Sequence, residues 1–428
     1  MLRNSSPCED APNLAGGEEN SARVTESSVI NTGFEKEAKL PRQDWIMLPA
    51  LSLLTVCFIL GSAELIGWWM FPYLDGAGEE CIVFNNPSIV ARGIPNCACR
   101  EKIPEGERTE YRFNNCGYRT NLQCGTKSPG AYRIVLIGGS SAMGMRVPNE
   151  KTFAVLLPSK LSQRTGRHVE LYNEGMPWRP PHIIALHFQE VLAAKPDMIL
   201  WILSDADVWN RLFTPPDPGL SQAVSGPSPY RNARQILAAA LSLAKKSTRL
   251  HSIILLRHLL YESQSRLITK YLARKPDEPY AQRIHGPEFM RTKPSAEWQS
   301  RLKDFDNDVA DMQAQAKAAG VPLVAVLLPE RAQAAMISRG EWPAGFDPYK
   351  LDNELRSMMA SHGVTYFDIL PDFRNVPNSE QDFFPLDVHP NALGHAFIAE
   401  LLARALTNGS VPALRVAAPR QAGLEQRK

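Results

Sequence analysis

Beyond Cys124 this chain of 428 residues contains no cysteine, so disulfides or thiolate metal sites are confined to its first third. It also lacks an excess of either charge: 47 Lys and Arg stand against 45 Asp and Glu. A net charge of +2 and a pI near 8.1 leave no electrostatic footprint for nucleic acid, and none is expected as a partner. No internal repeat is found. Residues 1–43 are short of large apolar side chains and rich in Ser, Glu, Asn, Gly and Ala, which predicts a disordered tail. They also lack the short basic segment and early apolar core of a cleaved signal.

What is present begins at Trp45. Trp45–Ala63 runs nineteen residues without a charge, about the minimum needed to cross a hydrocarbon layer of ~30 Å as a helix. Trp68 and Trp69 fit an interfacial aromatic belt, and Glu64 fits only near the outer edge, where it reaches water. Lys36, Lys39 and Arg42 precede the run, whereas Asp75, Glu79 and Glu80 follow it. The positive-inside rule therefore predicts a single-pass protein of the inner (cell) membrane, with a transmembrane helix over 44–72. Its N-terminal tail is cytoplasmic, and the bulk of the chain is periplasmic or otherwise extracytoplasmic. A buried core helix, or a cleaved signal with a long leader, is the competing reading.

That orientation bears on the cysteines. In an oxidising compartment the five between Cys81 and Cys124 favour two disulfides and one free thiol. Cys97-Ala98-Cys99 is too tight to close on itself, so each of its cysteines is expected to pair elsewhere. Zinc is the competing reading, but no His accompanies the cluster and no Cys-x2-Cys spacing occurs; neither metal nor cofactor is expected. Residues 73–130 read as a loop-rich, Cys-rich stalk.

From Arg133 the pattern alternates. Apolar runs at Arg133–Ile137, His168–Tyr172 and Met198–Leu203 predict strands; Thr152–Gln163 and Ile183–Ala194 predict helices between them. Such alternation argues for an α/β parallel sheet with right-handed crossovers. It breaks at 214–297, which opens on Pro, Gly and Ser and continues with helical patterns near Ala233–Ala244 and Leu250–Leu272; this reads as a helical insertion. Arg231–Lys275 carries ten Lys and Arg and one acid, Glu262. That is either a solvated basic face or a patch for anionic lipid headgroups or an acidic glycan. The fold resumes with the helical stripe Trp298, Leu302, Phe305, Val309, Met312 and Ala316, strands at Val321–Leu328 and Val364–Leu370, and a last helix through Leu393, Phe397 and Leu401. Asn408-Gly409 stop it, leaving 408–428 as a flexible tail.

The chemistry gathers at two stretches. Ile134-Val135-Leu136-Ile137 reads as a buried strand, Gly138-Gly139 as a sharp turn, and Ser140 stands at its top, where an open α/β sheet places its ligand crevice. Downstream, Asp387-Val388-His389 offers a base and a carboxylate that orients the ring or holds its charge. A serine hydroxyl is a weak nucleophile without such a base, and Ser, Asp, His is one of several chain orders that reach this geometry. A helix N-cap at Ser140 and a loop histidine at His389 are the alternatives. His395 is expected to pack within the last helix.

Four blocks occur in order over about residues 131–407: Ser140 after Gly138-Gly139, the Asn173-Glu174-Gly175 turn, the acidic loop after the third strand, and Asp387-x-His389-Pro-Asn-x-x-Gly-His. Together they resemble the SGNH (GDSL-type) hydrolase superfamily. Tyr111-Arg112-Phe113-Asn114 with Gly117-Tyr118-Arg119 is similar to the lead-in of its membrane-anchored bacterial members. The resemblance implies a three-layer, flavodoxin-like parallel sheet, with 131–407 as the SGNH-like domain. It implies Ser140, Asp387 and His389 as catalytic residues, with the N–H groups of Ser140 and Gly175 in the oxyanion hole. The chain departs from the family at Ser204-Asp205-Ala206-Asp207, where Ala206 stands in place of an Asn donor; Asn210, one turn on, is the candidate substitute. Gly139 also replaces the motif's Asp. The expected function is a membrane-anchored extracytoplasmic serine esterase that forms an acyl-serine on O-acetylated glycan or another ester. An O-acetyltransferase for an exported polysaccharide, and a catalytically weak glycan-binding or assembly component, are the alternatives.

Overall fold

The aliphatic runs that precede each Gly or Ser turn become one parallel sheet. β5 (Tyr132–Gly138) and β7 (Met198–Leu203) are buried at every position, as strands covered on both faces must be. The computed structural model describes residues 43–71, 80–85, 90–103, 105–209, 250–262, 288–385 and 387–416. Residues 1–42 of the predicted tail, the helix near 233–244, most of the insertion, Asn210 and residues 417–428 lie outside the described residues. The chain divides into two units, residues 1–57 and 58–428. α1 (Asp44–Met70) is, among the described residues, the one helix long and apolar enough to cross a membrane.

Two antiparallel hairpins follow: β1 (Ile82–Asn85) with β2 (Val90–Gly93), and β3 (Ala98–Lys102) with β4 (Arg108–Arg112). The central sheet has the order β6-β5-β7-β8-β9, all parallel, with β6 (Val169–Asn173), β8 (Leu323–Leu327) and β9 (Thr365–Phe367). The order reverses between β5 and its two neighbours. Open sheets of this kind bind their ligands at the carboxyl ends of the strands at that point. Ser140 and the acidic loop after β7 both stand there.

The helices gather in two groups. α3 (Phe153–Thr165) follows a four-residue α2 (Ser140–Met143) and packs on the last helix, α11 (Ala392–Leu406). On the other side α8 (Ala296–Ala318) packs on α4 (Pro181–Leu186), α5 (Phe188–Ala193), α6 (Asp205–Trp209) and α10 (Lys350–His362). Between them in sequence come α7 (His251–Glu262) and α9 (Arg331–Arg339). The stripe Trp298, Phe305, Val309, Met312 and Ala316 is buried against the sheet. This is the expected three-layer α/β architecture.

Several expectations change. The helix foreseen over Ile183–Ala194 is two, because His187 leaves helical dihedrals (φ −107°, ψ 18°) and turns its ring to Glu190. The region foreseen as a stalk is docked on the α/β unit. Cys81, Ile82, Ala91, Cys99, Tyr111 and Phe113 form one cluster with Met143, Met145 and Met176. Beyond β4, the Arg119 N–H donates to Asn173 O at 3.0 Å and the Thr120 hydroxyl to Leu171 O at 3.1 Å, which covers the exposed edge of β6. Cys81 pairs with Cys97, and Cys116 with Cys124. Cys99, expected to pair, forms no disulfide and is buried: Cys97 takes Cys81, and alternation along β3 turns Cys99 into the cluster. The tail expected from 408 is packed at its start, where Val411 and Leu414 are buried.

Candidate active site

The turn after β5 is set by packing. Gly138 has φ +141°, and a Cβ there would lie 2.3 Å from Ile202 O on the neighbouring strand. The chain passes directly into α2, and Ser140 is its first residue. Gly144, in the left-handed region at φ 81°, closes α2 by donating to Ser140 O at 3.1 Å and Ser141 O at 3.2 Å. The opposing loop runs from Phe383 to Asn391. The Phe384 N–H donates to His389 O at 2.8 Å, and the Asn391 side chain caps α11 through the N–H groups of Leu393 and Gly394. Between them Val388 holds φ +68°, a strained conformation for a β-branched residue and of a kind that clusters at functional sites.

These two loops bring the sequence-predicted residues together. His389 Nε2 lies 2.8 Å from Ser140 Oγ, and His389 Nδ1 lies 2.5 Å from Asp387 Oδ1. Burial works against a charged His389, but the hydrogen bond and charge of Asp387, with the charge of Glu330, outweigh it and raise its pKa above the ordinary imidazole value. Burial likewise opposes ionisation of Asp387, yet His389 and Arg146 pull its pKa down to about 2. The carboxylate therefore stays charged at neutral pH and favours the Nδ1–H tautomer, leaving Nε2 to accept the serine proton. His395 is fully buried, stacks on Phe153, and accepts the Phe153 N–H at 3.1 Å; burial and the Arg119 charge push its pKa down to about 3. It is a packing residue.

Five further side chains brace this constellation, and sequence reasoning gives none of them a role in the site. Arg146, buried and at φ +69°, donates from Nε to Asp387 Oδ2 at 3.2 Å and from Nη1 to Glu101 Oε2. Glu101 also accepts from Tyr111 Oη, which itself accepts the Arg146 N–H at 2.8 Å. Glu105 Oε1 accepts the Asp387 N–H at 2.7 Å. Arg119, buried under the Tyr111 ring, donates to Met143 O, Gly144 O and Val147 O at 3.0, 2.5 and 2.6 Å and so fixes the end of α2. Of these only Tyr111 and Arg119 were flagged, and only through a family resemblance; nothing in composition marks a positive-φ arginine.

A cavity of about 380 Å³ opens on Ser140 and His389. Trp178, at φ +59° and half exposed, stands at its rim, and Trp209, Arg179 and Glu330 line it. Arg179 is buried in a pair with Glu174 at 2.8 Å. Asp207 accepts from the Ser204 N–H and hydroxyl at 2.7 and 2.9 Å, and burial raises its pKa to about 6. Ala206 lines the cavity and offers no side-chain donor. The expected oxyanion donor Gly175 is a correction. Its N–H is given to Asn173 Oδ1 at 2.9 Å, and it does not line the cavity. A Cβ at 175 would lie 2.6 Å from Met143 N, so glycine is needed there for close packing on α2. Ser140 N–H, first in α2, has no intrahelical acceptor and borders the cavity. Among the described residues no group of three His, Cys, Asp or Glu forms a metal cradle.

Residues 289–427 match the family described as SGNH hydrolase-like domain, acetyltransferase AlgX. That stretch holds Asp387 and His389 but not Ser140. No curated protein matches the chain. Among solved structures, a mutant of Axe2, an acetyl-xylooligosaccharide esterase from Geobacillus stearmophilus, is 12% identical over 67% of this chain and 96% of its own, with TM-score 0.34. A lipase/acylhydrolase from Enterococcus faecalis is 11% identical over 64% of this chain and 95% of its own, with TM-score 0.33. Similarity of this size says nothing of activity. The sheet order and the sites of Ser140 and His389 at its switch point accord with the family match, in which the C-terminal third of the chain is similar to an SGNH hydrolase-like domain.

Proposed function

We propose that the protein is a membrane-anchored, extracytoplasmic serine enzyme that cleaves O-acetyl or related esters, with a surface or secreted glycan as substrate. The observation that carries the reading is the Asp387–His389–Ser140 chain, at 2.5 and 2.8 Å, opening on a cavity. Ser140 Oγ attacks the ester carbonyl as its proton passes to His389 Nε2. The tetrahedral oxyanion collapses, the alcohol leaves with the proton from His389, and acyl-Ser140 remains. Water, activated by the same Nε2, then releases the acid. The aromatic rim at Trp178, with polar groups such as Asp205 and Glu330 set in the lining, suits a sugar ring better than an alkyl chain. The apolar α1, the charge asymmetry about it and two disulfides support anchoring with the domain in an oxidising compartment.

A second reading is favoured by the AlgX family description: the acyl group passes to a sugar hydroxyl instead of water. Both readings share every step to acyl-Ser140. The detergent-solubilised chain is to be given a chromogenic acetyl ester, with and without a deacetylated glycan. Release of acetate at an unchanged rate supports the hydrolase; acetyl esters appearing on the glycan support the transferase. No turnover and no fluorophosphonate labelling of Ser140 would remove both.

A further inference from the structure

Glu64 directly follows the uncharged run Trp45–Ala63 and lies six residues before α1 ends at Met70, a costly place for a carboxylate beside lipid. Its two oxygens are taken by one partner, the N-terminus of α7. Oε1 accepts the His251 N–H at 2.8 Å and meets His251 Nδ1 at 3.0 Å; Oε2 accepts the Ser252 N–H at 2.9 Å. The carboxylate therefore caps α7 and faces the positive end of its dipole. The two helices touch closely: a Cβ on Gly67 would lie 2.6 Å from the His251 carbonyl carbon. Farther along, Phe71 clusters with Ile254 and Leu255, and its ring meets that of His258 at 5.1 Å. α7 thus runs beside α1 from Glu64 to Phe71.

The other flank of α7 is apolar and, among the described residues, about half exposed. Leu250, Ile253, Leu256 and Leu259 recur every three residues and are between 42% and 56% exposed. On the neighbouring α1, apolar side chains between Phe58 and Met70, among them Trp68 and Trp69, are exposed as well. At a rise of 1.5 Å per residue, Trp45–Ala63 covers about 28 Å, which puts Glu64 at the boundary of the hydrocarbon layer and α7 at headgroup depth. In sequence Lys245, Lys246 and Arg249 immediately precede α7, as in helices that lie on anionic bilayers.

We propose that α7 is a second membrane element, seated in the interfacial layer on the domain's side and clamped to α1 by Glu64 and Gly67, with Ile253, Leu256 and Leu259 in lipid. It holds the domain at the bilayer surface at a second point. The proposal rests on α1 crossing the membrane. The test uses the full chain with Cys8→Ser and Cys57→Ser, reconstituted in phosphatidylethanolamine/phosphatidylglycerol vesicles and labelled with an environment-sensitive fluorophore at Leu256→Cys or, as control, at Glu341→Cys. The Leu256 label should be blue-shifted and quenched by nitroxide-bearing lipid but not by aqueous iodide, with the reverse at Glu341. Adding Glu64→Ala should move the Leu256 label toward iodide. Flotation with the vesicles but iodide quenching at Leu256 overturns the proposal and leaves the anchor standing. Protection from both quenchers, with cross-linking between copies, overturns it in favour of a dimer contact. Failure to float with vesicles overturns anchor and proposal together.

Discussion

The central sheet and the cross-linked hairpins before it divide the site in different ways. The sheet carries the atoms proposed to react: Ser140 follows β5, and Asp387 and His389 precede α11. The hairpin region supplies none of these, yet its side chains touch both halves. Glu101 and Tyr111 reach Arg146, Glu105 holds the Asp387 N–H, and Arg119 holds the end of α2. A parallel sheet places strand ends to within a turn's freedom, and loops far apart in sequence need cross-braces to meet at 2.8 Å. A small, disulfide-closed unit docked on the edge of β6 gives such braces a rigid base. The difference implies two kinds of mutational loss: removal of chemistry from the sheet loops, and loosening of geometry from the hairpins.

The largest effect should come from the sheet loops. Ser140→Ala should lower kcat by at least about 10⁴-fold on a chromogenic ester and abolish fluorophosphonate labelling, with the melting temperature unchanged. His389→Ala should approach the same loss, and the double mutant should be no worse than either, since residues acting as a unit are not additive. Additive losses, or a label that moves to Ser141, would put the nucleophile elsewhere.

Asp387→Asn should cost about ten- to a hundredfold less than Ser140→Ala, and its pH profile carries the sharper information. The general base must be neutral, so kcat/KM falls as pH drops through the pKa of His389. In the wild type that pKa is raised, which puts the acid limb above the ordinary imidazole value. Removing the Asp387 charge takes away the main raising influence, so the limb should move to lower pH as the rate falls. A limb that stays in place would mean that Asp387 does not govern His389.

The hairpin arm of the comparison is tested by Arg146→Met and Glu101→Gln. Each should lower kcat by about 10²-fold through misplacement of Asp387, with KM little changed. Arg146→Lys should not restore the rate, because one ammonium cannot span Glu101 and Asp387 as the guanidinium fork does. A purely structural role would lower the melting temperature and leave kcat of the folded fraction intact.

The sheet was legible because its strands are buried on both faces and so appear as unbroken apolar runs; Met198–Leu203 is both the expected and the observed strand. Ser140 and His389 were legible because their neighbours, Gly138-Gly139 and Pro390-Asn391, announce turns at strand and helix ends. The hairpin region was not. Its cysteine spacing announces cross-links but not what the unit docks against, and docking depends on Tyr111 and Arg119 meeting α2 and on Glu101 meeting Arg146 in three dimensions. Cys99 shows the limit: spacing alone assigned it a partner, whereas strand alternation buries it. Gly175 shows another, since a glycine required for packing against Met143 has the same sequence signature as one that exposes an N–H.

The smallest expected change is a gain, and it asks whether the sheet loops alone limit the chemistry. The Gly175 N–H is engaged by Asn173, and Ala206 contributes no side-chain donor, so the Ser140 N–H is the one originally expected donor whose placement on the cavity holds among the described residues. A missing oxyanion donor is worth roughly 10²–10³ in rate where geometry is ideal. An amide introduced on the short helix α6 lacks that preorganisation, so Ala206→Asn should raise kcat on a small acetyl ester by about 10-fold. KM should hardly move, because the donor acts on the developing oxyanion and not on the bound ester. If Ala206→Asn is neutral while Asn210→Ala costs activity, Asn210 already fills the place. If both are silent against a measurable wild-type rate, the loop after β7 does not face the oxyanion. In that case, the backbone at Trp178, held at φ +59° on the cavity rim, becomes the first place to look for the second donor.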